Sequence, residues 1–129
     1  MATSTPGGAK TNLGLEPNIA GLLCYVPCCV GLVFSVVAAI VEKQSRFVRF
    51  HAFQSLLLHG AFIVLWIAVM GVHVGLTLVG LGVVGLLLHL VSWVVGIALF
   101  ALTILLMIKA NSGEEFELPV IGPMARQWV

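Results

Sequence analysis

Charge is what this sequence has least of. Asp, Glu, Lys and Arg make up 9% of its 129 residues, while hydrophobic residues make up 60%. That balance excludes both an ordinary soluble domain and a disordered chain. Six Lys and Arg against five acids leave a net charge of +1, so no global field would attract nucleic acid. The acids all lie outside the long apolar runs. No acid–base pair therefore converges within them, and no Ser-His-Asp set, zincin helix or phosphate loop is present. The chain is expected to be non-enzymatic. The three cysteines include no Cys-x-x-Cys spacing, which excludes the usual thiol-exchange motif.

What is present is apolar length. Residues 1–17 are rich in Thr, Ser, Gly and Pro and read as a disordered N-terminal tail. Residues 19–41 are apolar apart from Tyr25 and Ser35, and as a helix would rise about 34 Å, enough to cross a bilayer. The run is too long for the core of a cleaved signal peptide. Pro27 within it predicts a bend, because neighbouring helices in a membrane can re-satisfy the freed carbonyl. A second span is expected over residues 50–73. Residues 74–110 then stay apolar for 37 residues, too long for one upright helix. Gly75, Gly80, Gly82 and Gly85 favour an irregular connection before a last span over residues 86–109.

The expected fold class is thus all-α, an integral membrane three-helix bundle over residues 18–110, with four spans possible and residues 111–129 as a cytoplasmic tail. Three spans place Lys43, Arg46, Arg49, Lys109 and Arg126 on one side and Lys10 on the other. The positive-inside rule then puts the N-terminus outside and the C-terminus in the cytoplasm. Four spans would divide the cations evenly.

In the first span Gly21, Cys24, Cys28, Gly31, Ser35 and Ala38 recur at alternating steps of three and four. They form one stripe of small residues that lets helix backbones approach closely in lipid. Gly85, His89, Ser92, Gly96, Leu99 and Thr103 repeat the pattern in the third span. These seams are expected to face inward. Cys24 and Cys28 fit as packing residues, and a metal site would need further ligands at the same depth. His59, His73 and His89 are the candidate ligands. A histidine pair at matched depth can hold haem, and a lone intramembrane histidine can hold a chlorin such as chlorophyll. The alternative is a neutral ring hydrogen-bonded within the bundle, for instance His59 to Ser35 or Thr103. The expectation is no cofactor and no metal.

Arg46, Phe47, Arg49, Phe50, His51 and Gln54 open the second span and read as an interface anchor, with guanidinium groups near lipid phosphates and rings at the headgroup boundary. Glu114, Glu115 and Glu117 follow the last span. They could fold back as an acidic hook onto Arg46 and Arg49. The competing reading is a solvated tail, since exposed pairs contribute little. Gly113 can end the last helix in a left-handed conformation, with Pro119 and Pro123 preventing a restart.

Two blocks carry a family resemblance. The first runs Glu42-Lys43-Gln44-Ser45-Arg46-Phe47-Val48-Arg49-Phe50-His51-Ala52-Phe53-Gln54-Ser55, and the second spans residues 108–122 around Gly113-Glu114-Glu115-Phe116-Glu117-Leu118-Pro119. Over residues 18–129 the chain resembles the bacterial membrane protein family grouped with the twenty-kilodalton component of the chloroplast inner-envelope protein translocon. The resemblance implies a small multi-pass protein of a bacterial plasma membrane without enzymatic activity or cofactor. The leading functional expectation is an accessory or scaffolding subunit that contacts membrane lipid and a larger membrane complex or homo-oligomer. The alternatives are a translocon-like or channel-forming component and a minor pigment- or haem-binding subunit of a redox or photosynthetic complex.

Overall fold

The computed structural model describes residues 11–27 and 29–129. Most of the expected N-terminal tail, and Cys28 of the small-residue stripe, lie outside the described residues. The described residues form five helices and no strand: α1 (Pro17–Leu23), α2 (Cys29–Val41), α3 (Arg46–Leu78), α4 (Gly82–Asn111) and α5 (Ile121–Arg126). The all-helical expectation holds, with a different arrangement of its first third.

The first apolar run does not form one helix. It stops after Leu23 and restarts at Cys29. Pro27 has no N–H and its ring would collide with the carbonyl four residues back, while the residue before it is pushed out of helical geometry. The expected bend is therefore a reversal. α2 folds back along α1 and α3, and Gly31 makes this possible. Its N–H donates to Val26 O at 3.1 Å, and a Cβ on it would stand 2.2 Å from that oxygen and 2.9 Å from Cys24 O. The α1 end leaves the Cys24 carbonyl without a helical partner. Ser55 donates to it at 2.6 Å, and Ser35 lies 3.1 Å from it and 2.7 Å from Gly31 O.

Both ends of this helical hairpin lie at one end of the molecule. The buried Glu42 carboxylate accepts the backbone N–H groups of Asn12 at 2.8 Å and of Gln44 and Ser45 at 2.9 Å. The Asn12 side chain in turn accepts from Lys43 N at 3.1 Å. Asn18 lies against Gly113 at the end of α4. The expected three-span arrangement, with the N-terminal segment opposite the C-terminal tail, is therefore corrected: residues 11–18 and the tail share one end. Among the described residues, α3 and α4 are the two helices long and apolar enough to cross a membrane.

α3 starts on Ser45, whose side chain accepts from Val48 N at 3.3 Å, a standard N-cap. It continues through Gly71 and Gly75 to Leu78, where an irregular connection was expected. Glycine frees the backbone in water, but an apolar surrounding offers backbone groups no partner except the helix itself. The break falls instead at Gly80, which takes φ +82 while Leu81 N closes onto Leu76 O at 2.8 Å. α4 ends as expected at Gly113, φ +77, with Glu114 N on Lys109 O at 3.0 Å. Pro119 and Pro123 do not prevent a further helix. Pro123 sits in the first turn of α5, where its missing N–H costs nothing.

Burial concentrates at the hairpin end. Val48, Phe50, His51, Ala52, Gln54, Ser55 and Leu58 are the buried residues of α3, and none follows Leu58. Replacing Gly31 by Ala should cost more than about 2 kcal/mol, because the new methyl meets backbone that cannot yield. Gly71, with nothing within 4 Å of a Cβ, should accept Ala with no loss, or a gain of up to about 1 kcal/mol. Thermal unfolding of both variants in detergent checks the pair, and equal shifts would contradict the reversal.

Candidate functional site: the latched charged end

The N-terminal three turns of α3 meet both the bundle and the tail. Gln54 and His51 point into the bundle, and the lone tyrosine of the chain meets them there. Gln54 Nε2 donates to Tyr25 Oη at 3.0 Å and to Phe116 O at 2.9 Å, while its Oε1 accepts Leu118 N at 3.1 Å. Tyr25 Oη lies 3.1 Å from His51 Nδ1. Because Tyr25 accepts from Gln54, its own hydrogen goes to His51, which fixes the ring as the Nε2–H tautomer. His51 is wedged edge-on against Phe47, Phe50 and Tyr25, with the Phe47 centroid 4.4 Å away. Tyr25, His51 and Gln54 are fully buried. Each of these Gln54 amide hydrogen bonds joins one part of the chain to another.

The tail closes over the same side of α3, since Phe50 lies one helical turn before Gln54. Arg126 lies 4.3 Å from the centroid of buried Phe50, donates to Glu115 at 2.6 Å, and donates to Glu117 through Nε. Donating to the Glu117 and then the Glu115 carboxylate raises the pKa of its guanidinium above the ordinary value. Lys109 holds Glu114 at 2.8 Å. Arg49 donates to Trp128 O at 3.0 Å, and the Phe53 and Trp128 rings stand 6.3 Å apart. The tail folds back, but not onto the cations expected for the hook. Its acids pair with Arg126 and Lys109, not with Arg46 and Arg49, because α5 carries Arg126 back over Phe50. Arg46 remains exposed.

Two features of this latch were not anticipated. Val120 is the only described non-glycine residue with positive φ, at +67, a strained conformation for a β-branched side chain. A Cβ on Gly122 would stand 2.7 Å from Glu117 Cβ and 3.2 Å from Gln54 Oε1. The tail thus approaches Gln54 as closely as a backbone without a side chain permits. Glu42 was also missed as a fixing residue. An acid in the short turn between two helices, three residues before the N-cap Ser45, is the signal that could have found it.

The small-residue stripe is placed as follows. Gly21 packs under Phe47, His51 and Ala110; Cys24, Ser35 and Ala38 are buried; Gly31 abuts the reversal. Gly96 is corrected: nothing lies within 4 Å of a Cβ there, and it lines an open apolar crevice of about 340 Å³ with Pro27, Leu58, His59, Phe100 and Thr103. His59 donates through Nδ1 to Ser55 O at 2.8 Å, in place of Ser35 or Thr103. His73 and His89 approach to 5.5 Å between centroids. His73 Nδ1 donates to Gly85 O at 2.9 Å, and His89 Nε2 accepts the Trp93 indole at 3.1 Å. The indole occupies a nitrogen that an axial ligand would need free.

Residues 14–125 match the family described as the magnetosome magnetite crystal formation protein family. The chain is 42% identical to a UPF0132 membrane protein of Methanocaldococcus jannaschii, over 92% of this chain and 94% of the relative. It is 32% identical to a UPF0132 membrane protein of Archaeoglobus fulgidus, over 89% of this chain and 97% of the relative. A second M. jannaschii UPF0132 membrane protein is 32% identical over 90% of this chain and 72% of the relative. No solved structure matches. The match is to a different family from the one containing the chloroplast translocon component, which overturns that resemblance. These relatives are archaeal and named as membrane proteins, so the location shown is a membrane, without the bacterial assignment.

Gln54→Leu should strand Leu118 N–H and Phe116 C=O and loosen the tail by about 1–3 kcal/mol. Hydrogen exchange over residues 116–126 should accelerate accordingly, and Arg46→Ala should leave it unchanged. Unaltered exchange in Gln54→Leu would mean that the tail is held elsewhere.

Proposed function

This chain belongs to the magnetosome magnetite crystal formation protein family, and on that footing we propose that it is a non-enzymatic structural protein of the membrane, an accessory subunit that presents its latched charged end to a larger membrane assembly. The observation that carries the reading is the closure of the site upon itself. Gln54 is spent on Tyr25, Phe116 and Leu118, and the three tail acids on Lys109 and Arg126. Groups committed in this way hold a surface in shape. That use of them supports a structural part over acid–base chemistry.

The family description concerns magnetite crystal formation, whereas the archaeal relatives are named only as membrane proteins. A structural part in the membrane suits both. The paired state of Glu114, Glu115 and Glu117 favours this over direct mineral or cation binding by the tail, since each acid already faces a cation at contact distance.

Orientation follows from where the cations lie. Lys43, Arg46, Arg49, Lys109 and Arg126 all sit at the hairpin end, and the turn at residues 79–81 has no Lys or Arg. On the positive-inside rule the hairpin end, with residues 11–18 and the C-terminal tail, faces the cytoplasm.

Two measurements test the proposal. Reporter fusions at each terminus should both report the cytoplasm, and an N-terminal reporter on the outside would overturn the orientation. Mild-detergent purification from native membranes, with mass spectrometry and an absorbance spectrum, should recover a colourless protein in stoichiometric company with a larger membrane protein. Recovery of this chain alone would overturn the subunit reading.

A further inference from the structure

We infer that this protein is a membrane wedge, which concentrates where the leaflet on its charged side is stretched over a convex surface and favours that curvature when abundant. The inference deepens the structural reading and rests on it for placing the chain in a membrane.

The argument begins with depth. Pro27 and Cys29, at the tip of the α1–α2 hairpin, line one crevice with Leu58 and His59 of α3. Leu58 stands about 14 Å along the helix from Arg49, close to half of a hydrocarbon core of about 30 Å. The hairpin therefore enters from the charged end and turns back near the midplane. Its outer face is made for lipid: Val30, Val33, Val37 and Ile40, at steps of three and four, are 59%, 60%, 41% and 65% exposed. A hairpin resting on the membrane surface would not carry so apolar a face.

The cross-section follows. On the charged side of Leu58 the chain places four helices side by side, α1 to α4. Beyond it only α3 and α4 continue, and every residue of α3 from Gly60 to Ala68 is exposed. With helices about 10 Å across, the two levels differ by on the order of 200 Å². Such a taper displaces more lipid from one leaflet than from the other. It is accommodated with least strain where the crowded leaflet is the expanded one, by the same area argument that makes half-inserted helices sensitive to curvature.

The far half could instead be filled by a second copy, which would cancel the taper. Lipid is favoured because bulky aliphatic side chains dominate the exposed far half: Val64, Ile67, Leu78, Val83 and Val94 are each more than half exposed. Close helix pairing in lipid selects small residues. The exposed Gly71 and Gly75 interrupt that face at one place, and the copy number counted by photobleaching reads whether a second chain uses it.

Sorting between a giant vesicle and a tube pulled from it reads the sign directly. The full-length protein, labelled at its C-terminus, is reconstituted in phosphatidylcholine and phosphatidylglycerol at about 4:1, in two preparations that face the charged end outward or inward. In a tube of about 20 nm radius, density per lipid should be roughly threefold above the parent vesicle with the charged end outward, and a similar factor below it with the charged end inward. Equal density in tube and vesicle, or the same sign in both orientations, would sink the wedge. So would photobleaching that counts two or more copies per spot at the dilution where sorting is measured. Because no partner is present, failure to co-purify a larger complex would remove the subunit reading and leave this result standing.

Discussion

One carbonyl organises this protein. Where α1 stops, Cys24 O faces the interior of an apolar bundle without a helical partner, and an unsatisfied group in such a place costs several kcal/mol. Ser35 and Ser55 reach it from α2 and α3. Two hydroxyls on two helices converge on an oxygen of a third, so the reversal, the packing of α2 and the register of α3 are set together. Gly31 supplies the remaining condition by letting the two arms of the hairpin meet at backbone distance.

From that point a polar chain runs outward to the surface. Tyr25, next to the capped carbonyl, passes its hydrogen to His51 and accepts one from Gln54. Gln54 carries the connection to the tail backbone, and Arg126 closes the tail over Phe50. Hydrogen bonds of this kind are individually modest. Their effect here lies in joining segments far apart in sequence, 29 residues for Tyr25 to Gln54 and 64 for Gln54 to Leu118. His51 Nε2 is buried without a hydrogen-bond partner among the described residues, so the inner end of this chain is held by packing against the phenylalanine rings.

The helices were legible because apolar length and a terminating glycine are local signals; Gly113 ends α4 as its position suggests. The reversal was not. A stripe of small residues at steps of three and four has the same spelling whether one helix continues or two short helices fold together, and Pro27 is compatible with either. Only the distance from Gly31 to Val26 O separates them, and that is a tertiary fact. In the site, the Arg-Phe block and the acidic tail were visible, but charge arithmetic cannot say which arginine an acid meets. Arg126 wins because α5 places it over Phe50. The same blocks misdirected the family assignment. An arginine-aromatic interface and a glycine-ended helix are general features of membrane chains, sufficient for the class and insufficient for the lineage.

The turn between α3 and α4 has a bearing on biogenesis. It spans residues 79–81, carries no charge, and is flanked by Thr77 bonded to His73 O and His73 bonded to Gly85 O. All the strongly hydrated groups among the described residues stay at the opposite end. The long helical hairpin can therefore enter a bilayer tip first with its polar side chains already satisfied, and no ionic group has to be dragged through hydrocarbon. For the described residues, assembly asks a membrane to pass only an uncharged turn across it.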